Sequence, residues 1–168
     1  GAGGISLTLA PRINAAGRMG SAMTAFRLLL SDDENDAAEL AKTIDTYNKE
    51  RHSVENEITK QAIAEIESRP DEKYASVIVV SGENWHQGVI GIVAARLCGK
   101  YGKPAVVISV DGEKGKGSCR SIEGFSIYDA LSAASDTLTH FGGHTLAAGL
   151  GVEKSRIDEF RTAINEYA

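Results

Sequence analysis

The chain has 168 residues, of which 42% are hydrophobic, and its formal net charge is −5. It is therefore long enough to bury a core, and its acidic total argues against a generally basic nucleic-acid-binding protein. No apolar run approaches the ~20 residues that cross a bilayer, and the first residues lack the pattern of a signal peptide, so we expect a cytoplasmic protein with no membrane partner. Cys98 and Cys119 are predicted to be reduced thiols in or near the core.

The charges are unevenly distributed along the chain. Residues 1–31 contain three arginines and no acid, residues 32–72 contain 13 acids and 5 bases, and residues 73–168 contain ten of each. Because the local field rather than the net charge steers a polyanion, the first and last segments can still present a basic surface.

The first part of the chain is predicted to contain two helices. Residues 5–20 are rich in glycine, alanine and arginine, and Pro11 is expected to block a helix, so this segment is predicted to be irregular. A short helix is predicted from Ala22 to Leu30. A helix of roughly 35 residues is predicted between Asp32 and Arg69, because apolar residues recur there every three or four positions without Gly or Pro. Such a helix usually connects two parts of a protein.

After Pro70 the pattern changes to alternating strands and helices. The predicted elements are a strand at Ser76–Val80, a helix at Gln87–Tyr101, strands at Ala105–Val110 and Lys114–Ser121, a helix near Ser126–Ser135, a short strand near Leu150–Val152 and a terminal helix from Ser155. The first strand, helix and strand form a βαβ unit, whose crossover implies a parallel pair. The predicted fold class is α/β: a long connecting helix, then a compact domain with a mixed β-sheet flanked by helices.

The stretch HFGGHTLAAG at residues 140–149 is the strongest candidate for phosphate binding. Gly142 and Gly143 leave their backbone N–H groups accessible to an anion, and His144 adds a donor. If a helix begins at His144, its unpaired N–H groups and its dipole would strengthen the site. A glycine turn before a short packed helix is the alternative, and it is the commoner use of such residues.

Two further segments place donors outside regular structure. Residues 81–86 follow the predicted first strand, where parallel sheets bind their ligands, and His86 could donate to a phosphate there. Trp85 could stack on a base, although a lone tryptophan is more often a core residue. The segment at residues 10–20 is either functional or a flexible lead-in, and its polar candidates are Arg12, Asn14 and Arg18.

The glycine-rich segment GEKGKGSCRS at residues 112–121 is predicted to be a strand that contacts phosphate. Alternation along the strand places Ser118 and Arg120 on one face, and we expect Gly115 and Gly117 to open that face to close approach. Arginine suits bidentate phosphate binding, whereas the lysines of this segment are expected to be solvated. The alternative is a surface strand with a glycine bulge.

No metal site, nucleotide-binding loop or acyl-transfer motif is predicted. His140 and His144 are four residues apart, but two glycines divide them and no carboxylate group or Cys/His cluster accompanies them. Neither a Walker loop nor a nucleophile elbow is present in the sequence.

Five features taken in order resemble the DHH phosphoesterase family, and within it the bacterial exonucleases that are specific for single-stranded DNA. They are APRINAAGRMG, the long helix, ENWHQGVIGIVAARL, GSCRS and FGGHTLAAG, which together cover the chain from about Leu9 onward. In that family, Asp and His residues of a DHH domain hold catalytic Mn²⁺ or Mg²⁺. Because this sequence lacks the Asp-His-His run, the resemblance implies a fragment that holds no metal itself.

The resemblance also implies a division of the chain and of its roles. Residues 1–31 would be the edge of the absent catalytic domain, residues 32–72 the connecting helix, and residues 73–168 a DHH-associated substrate-binding domain. Metal-dependent hydrolysis of single-stranded DNA from 5′ to 3′, in repair and recombination, would belong to the whole enzyme. Carried over by motif, the expected phosphate contacts are His86, Arg120 and His144, and the groups beside the nuclease centre are Arg12, Asn14 and Arg18.

Two other functions remain open. One is a relative that acts on short oligoribonucleotides or cyclic dinucleotides, and the other is a noncatalytic nucleic-acid-binding module like the related domain of alanyl-tRNA synthetase. The expected partners are single-stranded DNA and, for the whole enzyme, a single-strand-binding protein. An exposed apolar stripe on residues 40–66 is also expected, and it could drive artificial dimerisation of the fragment through the long helix.

Overall fold

The computed structural model describes residues 8–70 and 75–168, which form a helical segment followed by a sheet domain. The helices are α1 (Ala10–Met19), α2 (Ala22–Leu30), α3 (Glu34–Ser68), α4 (Gln87–Tyr101), α5 (Ile127–Ala133) and α6 (Ile157–Tyr167). The strands are β1 (Ile78–Glu83), β2 (Ala105–Asp111), β3 (Lys114–Arg120), β4 (His140–His144) and β5 (Ala147–Glu153). The chain divides into one unit up to Asn56 and a second unit from Glu57, so the boundary falls inside α3.

Helix α1 corrects the prediction of an irregular segment over residues 5–20. Pro11 lies in the first turn of this helix, where its missing N–H would have no helical partner and its fixed φ suits the helix. Proline therefore starts this helix rather than blocking it, and Ala15 and Ala16 are fully buried on one side of it. Residues 5–7 of the predicted segment lie outside the described residues.

The two helices predicted next are confirmed. Helix α2 begins after Ser21, whose side-chain oxygen accepts a hydrogen bond from the Met23 N–H at 3.2 Å. Helix α3 has 35 residues and follows Asp33, whose Oδ1 accepts from the N–H groups of Asn35 at 2.8 Å and Asp36 at 3.0 Å. These caps satisfy first-turn donors that have no partner within the helix.

The exposed apolar stripe predicted on residues 40–66 is wrong. Ile44, Ile58, Ala62 and Ile66 are each at most 3% exposed, because the apolar side of α3 is covered within the described chain. Among residues 8–56 the exposed large hydrophobic residues are instead Leu9 and, on α2, Met23, Phe26, Leu29 and Leu30. None of the helices over residues 8–70 and 75–168 is long and apolar enough to span a membrane.

The five strands form one mixed sheet in the order β1-β2-β3-β5-β4. β1 and β2 are parallel and are connected through α4, which confirms the βαβ unit, and the other neighbours are antiparallel. β1 lies later than the predicted Ser76–Val80, since Ser81, Gly82 and Glu83 continue to pair with β2. These three residues therefore belong to the strand and do not follow it.

Helices cover the two faces of the sheet unequally. α5 and α6 pack on one face around a core that includes Ile108, Leu150 and Phe160. Gly115 and Gly117 belong to this closed face, so the prediction that they open the face of Arg120 is wrong. Their odd positions point away from Ser118 and Arg120, and a Cβ at Gly117 would lie 2.9 Å from Leu150 Cδ1. The opposite face carries α4, which packs on β2 and β3.

Both cysteines are buried, as predicted. Burial raises the pKa of the Cys119 thiol to about 12, and burial also raises the pKa of Cys98. Neither thiol is therefore prepared for nucleophilic chemistry at neutral pH.

Candidate functional site

Residues 140–149 form a β-hairpin, which corrects the expectation that a helix begins at His144. The N–H and C=O groups of β4 and β5 pair across the hairpin, with His144 opposite Ala147. The turn is held by two backbone hydrogen bonds of 2.9 Å, from the Ile127 N–H to the Thr145 carbonyl and from the Ser121 N–H to the Leu146 carbonyl. Any anion bound here would therefore meet side chains and accessible strand backbone rather than a helix dipole.

The strand register brings most of the predicted phosphate contacts to one side of the sheet. Directly opposed residues on neighbouring strands share a face, and so do alternate residues along one strand. We call the side of β3, β5 and β4 that carries Arg120 the open face. Its three cross-strand rows are Arg120–Ala147–His144, Ser118–Gly149–Gly142 and Lys116–Gly151–His140.

β5 and the neighbouring Gly142 of β4 contribute almost no side-chain volume to the open face. A Cβ placed on Gly142 would meet nothing within 4 Å, and one on Gly149 would meet only the Gly117 carbonyl oxygen at 3.6 Å. Ala147 adds a single methyl group. A ligand can therefore lie directly on the backbone between polar side chains of β3 and β4, whose strands are about 10 Å apart across β5.

Arg120 is held in place before any ligand binds. Its Nη1 donates to the Cys119 carbonyl at 2.7 Å and to Ser118 Oγ at 3.3 Å. Gly91 of α4 lies beside this pair, since a Cβ there would be 2.9 Å from Ser118 Oγ and 3.1 Å from Arg120 Nη2. Both hydrogen bonds use Nη1 of a guanidinium group that carries five N–H donors. The group therefore retains donors for a phosphate.

His86 lies at the start of α4 and caps that helix. Its Nδ1 accepts a hydrogen bond from the Gly88 N–H at 3.1 Å. Because Nδ1 is the acceptor, the neutral ring carries its proton on Nε2, which is then a donor. The next residue, Gln87, lines a cavity that also includes Lys116 and His140, so His86 is near the far end of the open face rather than at the Arg120 row.

Trp85 is a core residue in this structure. It is 7% exposed, and its Nε1 donates to Gln61 Oε1 of α3 at 2.7 Å. Its carbonyl accepts from Ser109 Oγ at 2.5 Å, and its ring occupies the space where Gly82 has no Cβ. The structure therefore favours packing over base stacking for Trp85, and this packing fixes the chain where α4 begins.

The three polar candidates of α1 do not share one side of that helix. Arg12 donates from Nε to Asp45 Oδ1 at 3.1 Å and from Nη1 to the Thr8 carbonyl at 2.7 Å. Hydrogen bonds from Lys49 and from Arg12 lower the pKa of Asp45. Asn14 and Arg18 are exposed and are one turn apart, on a different side of α1 from Arg12. All three lie in the unit up to Asn56.

The described residues do not fit a catalytic metal centre. Over residues 8–70 and 75–168, no group of three or more His, Cys, Asp or Glu side chains is placed to hold a metal ion. A two-metal phosphodiesterase centre needs such a ligand set. The open face offers donors for anions, and it offers no ligand set for a divalent cation.

Comparison with known proteins places this arrangement in a family. Residues 71–168 match the DHHA1 domain, and the chain therefore belongs to the DHHA1 domain family. Over 166 residues it is 42% identical to the single-stranded-DNA-specific exonuclease RecJ of Bacillus subtilis (strain 168), which covers 98% of this chain and 21% of that protein. RecJ of Thermus thermophilus is 33% identical over 164 residues, which is 98% of this chain and 23% of that protein.

Solved structures agree with this assignment. The crystal structure of Thermus thermophilus RecJ in complex with Mg²⁺ superposes with a TM-score of 0.88 at 33% identity, covering 99% of this chain and 26% of that one. The complex of the same protein with Mn²⁺ gives a TM-score of 0.89 and covers 24% of that chain. The chain thus spans about a quarter of the length of these relatives. Both the family resemblance and the predicted fold class are confirmed.

The register adds two basic side chains that the sequence did not single out for phosphate. Lys116 shares its even position with Ser118 and Arg120, so alternation along β3 already placed it on their face. His140 joins them only because β4 pairs with β5 rather than with another strand. No local pattern in the sequence predicts that β4 pairs with β5.

Proposed function

We propose that this chain is the phosphate-binding part of a metal-dependent exonuclease that degrades single-stranded DNA from 5′ to 3′ in DNA repair and recombination. The observation that carries the proposal is the strand register. It collects Ser118, Arg120 and His144 around the floor made by Gly142 and Gly149 on one open face. Single-stranded DNA is proposed as the substrate because of the similarity to RecJ, since the residues alone indicate only an anion.

The open face is suited to a nucleic-acid backbone rather than to bases. Arg120 offers a bidentate donor, Ser118 a hydroxyl, and His144 and His86 ring N–H groups, while Gly142 allows close approach to the main chain. Phosphate contacts position a strand without reading its sequence. With Trp85 buried, a stacking partner for bases is not available at this position. Such phosphate contacts allow binding of a DNA strand of any base sequence, as an exonuclease requires.

The hydrolytic step would belong to residues outside this chain. The described ranges contain no metal-ligand group, whereas the solved relatives were crystallised with Mg²⁺ and Mn²⁺. Arg12, Asn14 and Arg18 are proposed to lie beside the nuclease centre of the whole enzyme, which would act in the cytoplasm. A single-strand-binding protein is a proposed partner of the whole enzyme. The isolated chain is expected to cleave no DNA even when Mn²⁺ is added.

A salt titration of single-stranded DNA binding tests the proposal. Arg120→Ala should weaken binding about tenfold at low salt, because a charged hydrogen-bonding group is lost, and His144→Ala should weaken it less. Loss of the Arg120 charge should lower the slope of log K against log salt by about 0.7. Lys100→Ala, which removes an exposed charge on the far half of α4, is the control and should leave both quantities unchanged.

Several results would contradict the proposal. If Arg120→Ala and His144→Ala, shown by circular dichroism to be folded, titrate like the wild type, the open face is not the phosphate site. Metal-dependent cleavage by the pure chain would show that the catalytic groups are present. A preference for tRNA would favour the noncatalytic module, and a preference for short oligoribonucleotides or cyclic dinucleotides would favour the other relatives.

A further inference from the structure

The open face repeats its basic arrangement beyond Arg120. In two of its rows a basic residue of β3 and a histidine of β4 flank a small residue of β5: Arg120–Ala147–His144 and Lys116–Gly151–His140. Alternate residues on a strand are about 6.8 Å apart, so these two rows lie roughly 13 Å apart with the glycine row between them. Lys116 and His140 are both exposed.

A cavity of about 810 Å³ opens beside the second basic row. Its lining includes Gln87 from the start of α4, Lys116 from β3 and His140 from β4. The same cavity is also lined by Lys114 and by three carboxylates, which are Asp111, Glu113 and Glu153. The ring of His140 lies over Gly151, in the space that a Cβ at that position would fill. His140 Nδ1 is 3.1 Å from Thr139 Oγ1, which leaves Nε2 as the nitrogen available to a ligand.

Lys116 differs from the other lysines at this end of the sheet. Lys114 is opposite Asp111 on one side and Glu153 on the other, and Lys154 Nζ is 2.6 Å from Glu83. The residues opposite Lys116 are Ser109 and Gly151, which carry no charge. Lys116 therefore has no carboxylate directly opposite it on either neighbouring strand.

The next row along the open face is acidic. Asp111, Lys114 and Glu153 are directly opposed across β2, β3 and β5, and together they carry a formal charge of −1. This row lies about 6.8 Å beyond the Lys116 row, and its carboxylates would repel a phosphate placed over it. The basic strip therefore extends for three rows and stops.

We propose that Lys116 and His140 bind a second phosphate of the same nucleic-acid strand, and that Asp111 and Glu153 end the strand's contact with the sheet. The inference rests on the proposed function, since it extends the Arg120 site. The 13 Å between the two basic rows equals about four steps of a stacked strand at roughly 3.4 Å each, and fewer steps of an extended one. The second contact therefore requires an oligonucleotide longer than a dinucleotide.

The test compares a 5′-phosphorylated thymidine dinucleotide with the corresponding octanucleotide at low salt. Lys116→Ala should weaken octanucleotide binding about fivefold and lower its salt slope by about 0.7, while changing dinucleotide binding less than about twofold. His140→Gln should act in the same direction, and His140→Lys should retain binding because lysine also donates to phosphate. The control is Lys100→Ala, which removes an exposed charge on the far half of α4 and should not weaken either ligand.

The outcomes separate this inference from the proposed function. If Lys116→Ala behaves like Lys100→Ala with the octanucleotide while Arg120→Ala weakens both ligands, the second phosphate site is overturned and the first one stands. If Lys116→Ala weakens the binding of both ligands equally, Lys116 belongs to the first site, and the proposal of a second phosphate contact is wrong. If no ligand shifts any backbone amide resonance of the open face at millimolar concentration, both proposals are overturned.

Discussion

The two edges of the sheet differ in whether side chains cover their outward backbone groups. At the β1 edge, Asn165 of α6 accepts from the Val77 N–H at 2.9 Å and donates to the Val77 carbonyl at 3.0 Å. Arg161 Nε donates to the Val79 carbonyl at 3.2 Å, and Glu65 Oε2 accepts from the Ser81 N–H at 3.1 Å. At the other edge, β4 has five residues, and four of them are exposed.

This difference indicates what each edge is for. An uncovered strand edge invites pairing with other chains, so proteins normally cover it or keep it short. Side chains from α3 and α6 satisfy the outward backbone groups of β1, which makes that edge part of the fold. β4 is short, contains two glycines and borders the open face, so its accessibility serves a ligand. Removing the side chains that cover the β1 edge should therefore lower stability without changing DNA binding, whereas changes on the side of β4 that borders the open face should alter binding.

The largest expected effect separates the two adjacent glycines of β4. Gly143 has φ of +150°, and a Cβ there would lie 2.5 Å from the Ala147 carbonyl oxygen and from Ala148 Cα. Gly143→Val should lower the free energy of unfolding by about 3 kcal/mol or more, because backbone atoms cannot move aside cheaply. Urea unfolding followed by the fluorescence of Trp85, the single tryptophan, measures this change in the sheet domain.

Gly142→Val is the matched control for that substitution. A Cβ at Gly142 meets nothing within 4 Å, so the free energy of unfolding should change by less than about 0.5 kcal/mol. The valine would nevertheless stand on the open face beside Gly149, and single-stranded DNA should bind more weakly. Equal loss of stability at both positions would show that the two glycines do not divide between fold and site.

The second-largest expected effect comes from a substitution at the β1 edge. Asn165→Ala would leave the N–H and the carbonyl of Val77, a fully buried residue, without their partner. Buried backbone groups without partners should lower the free energy of unfolding by about 2–3 kcal/mol, with no change in DNA binding by folded protein. Glu166→Ala, at the adjacent exposed position of α6, is the control. A loss no larger than that of the control would mean that water replaces the asparagine.

The sequence predicted the elements well because their signals are local. The 35 residues of α3, the parallel pair around α4 and the fold class follow from periodicity and from capping residues such as Asp33. The errors have different causes: a residue type that suits two local structures, alternation that was applied to the wrong residues, and an order of strands that only the whole sheet decides. Pro11 can start a helix or end one, and Gly115 lies on the closed face by the parity of β3, which alternation should have shown. The open face depends on β5 lying between β3 and β4, which no local pattern encodes.

The smallest expected effect concerns how the stability contributed by Glu65 at the β1 edge depends on pH. Burial raises the pKa of Glu65 above its ordinary 4.5, although the Ser81 N–H and then Arg161 and Arg69 act in the opposite direction. The native state therefore holds this proton more tightly than the unfolded chain does. The resulting stabilisation is complete below pH 4.5 and is lost as the pH rises through the raised pKa.

Glu65→Gln isolates that effect, because glutamine keeps an oxygen for the Ser81 N–H and cannot ionise. The stability of the wild type minus that of Glu65→Gln should fall as the pH rises from 4.5 toward neutrality, which urea unfolding monitored by Trp85 fluorescence can follow. Glu166→Gln, an exposed position on α6, corrects for the general effect of removing a carboxylate. If the difference instead grows with pH, the ion pair with Arg161, whose Nη2 lies 3.6 Å from Glu65, outweighs burial, and charge rather than hydrogen bonding closes the β1 edge.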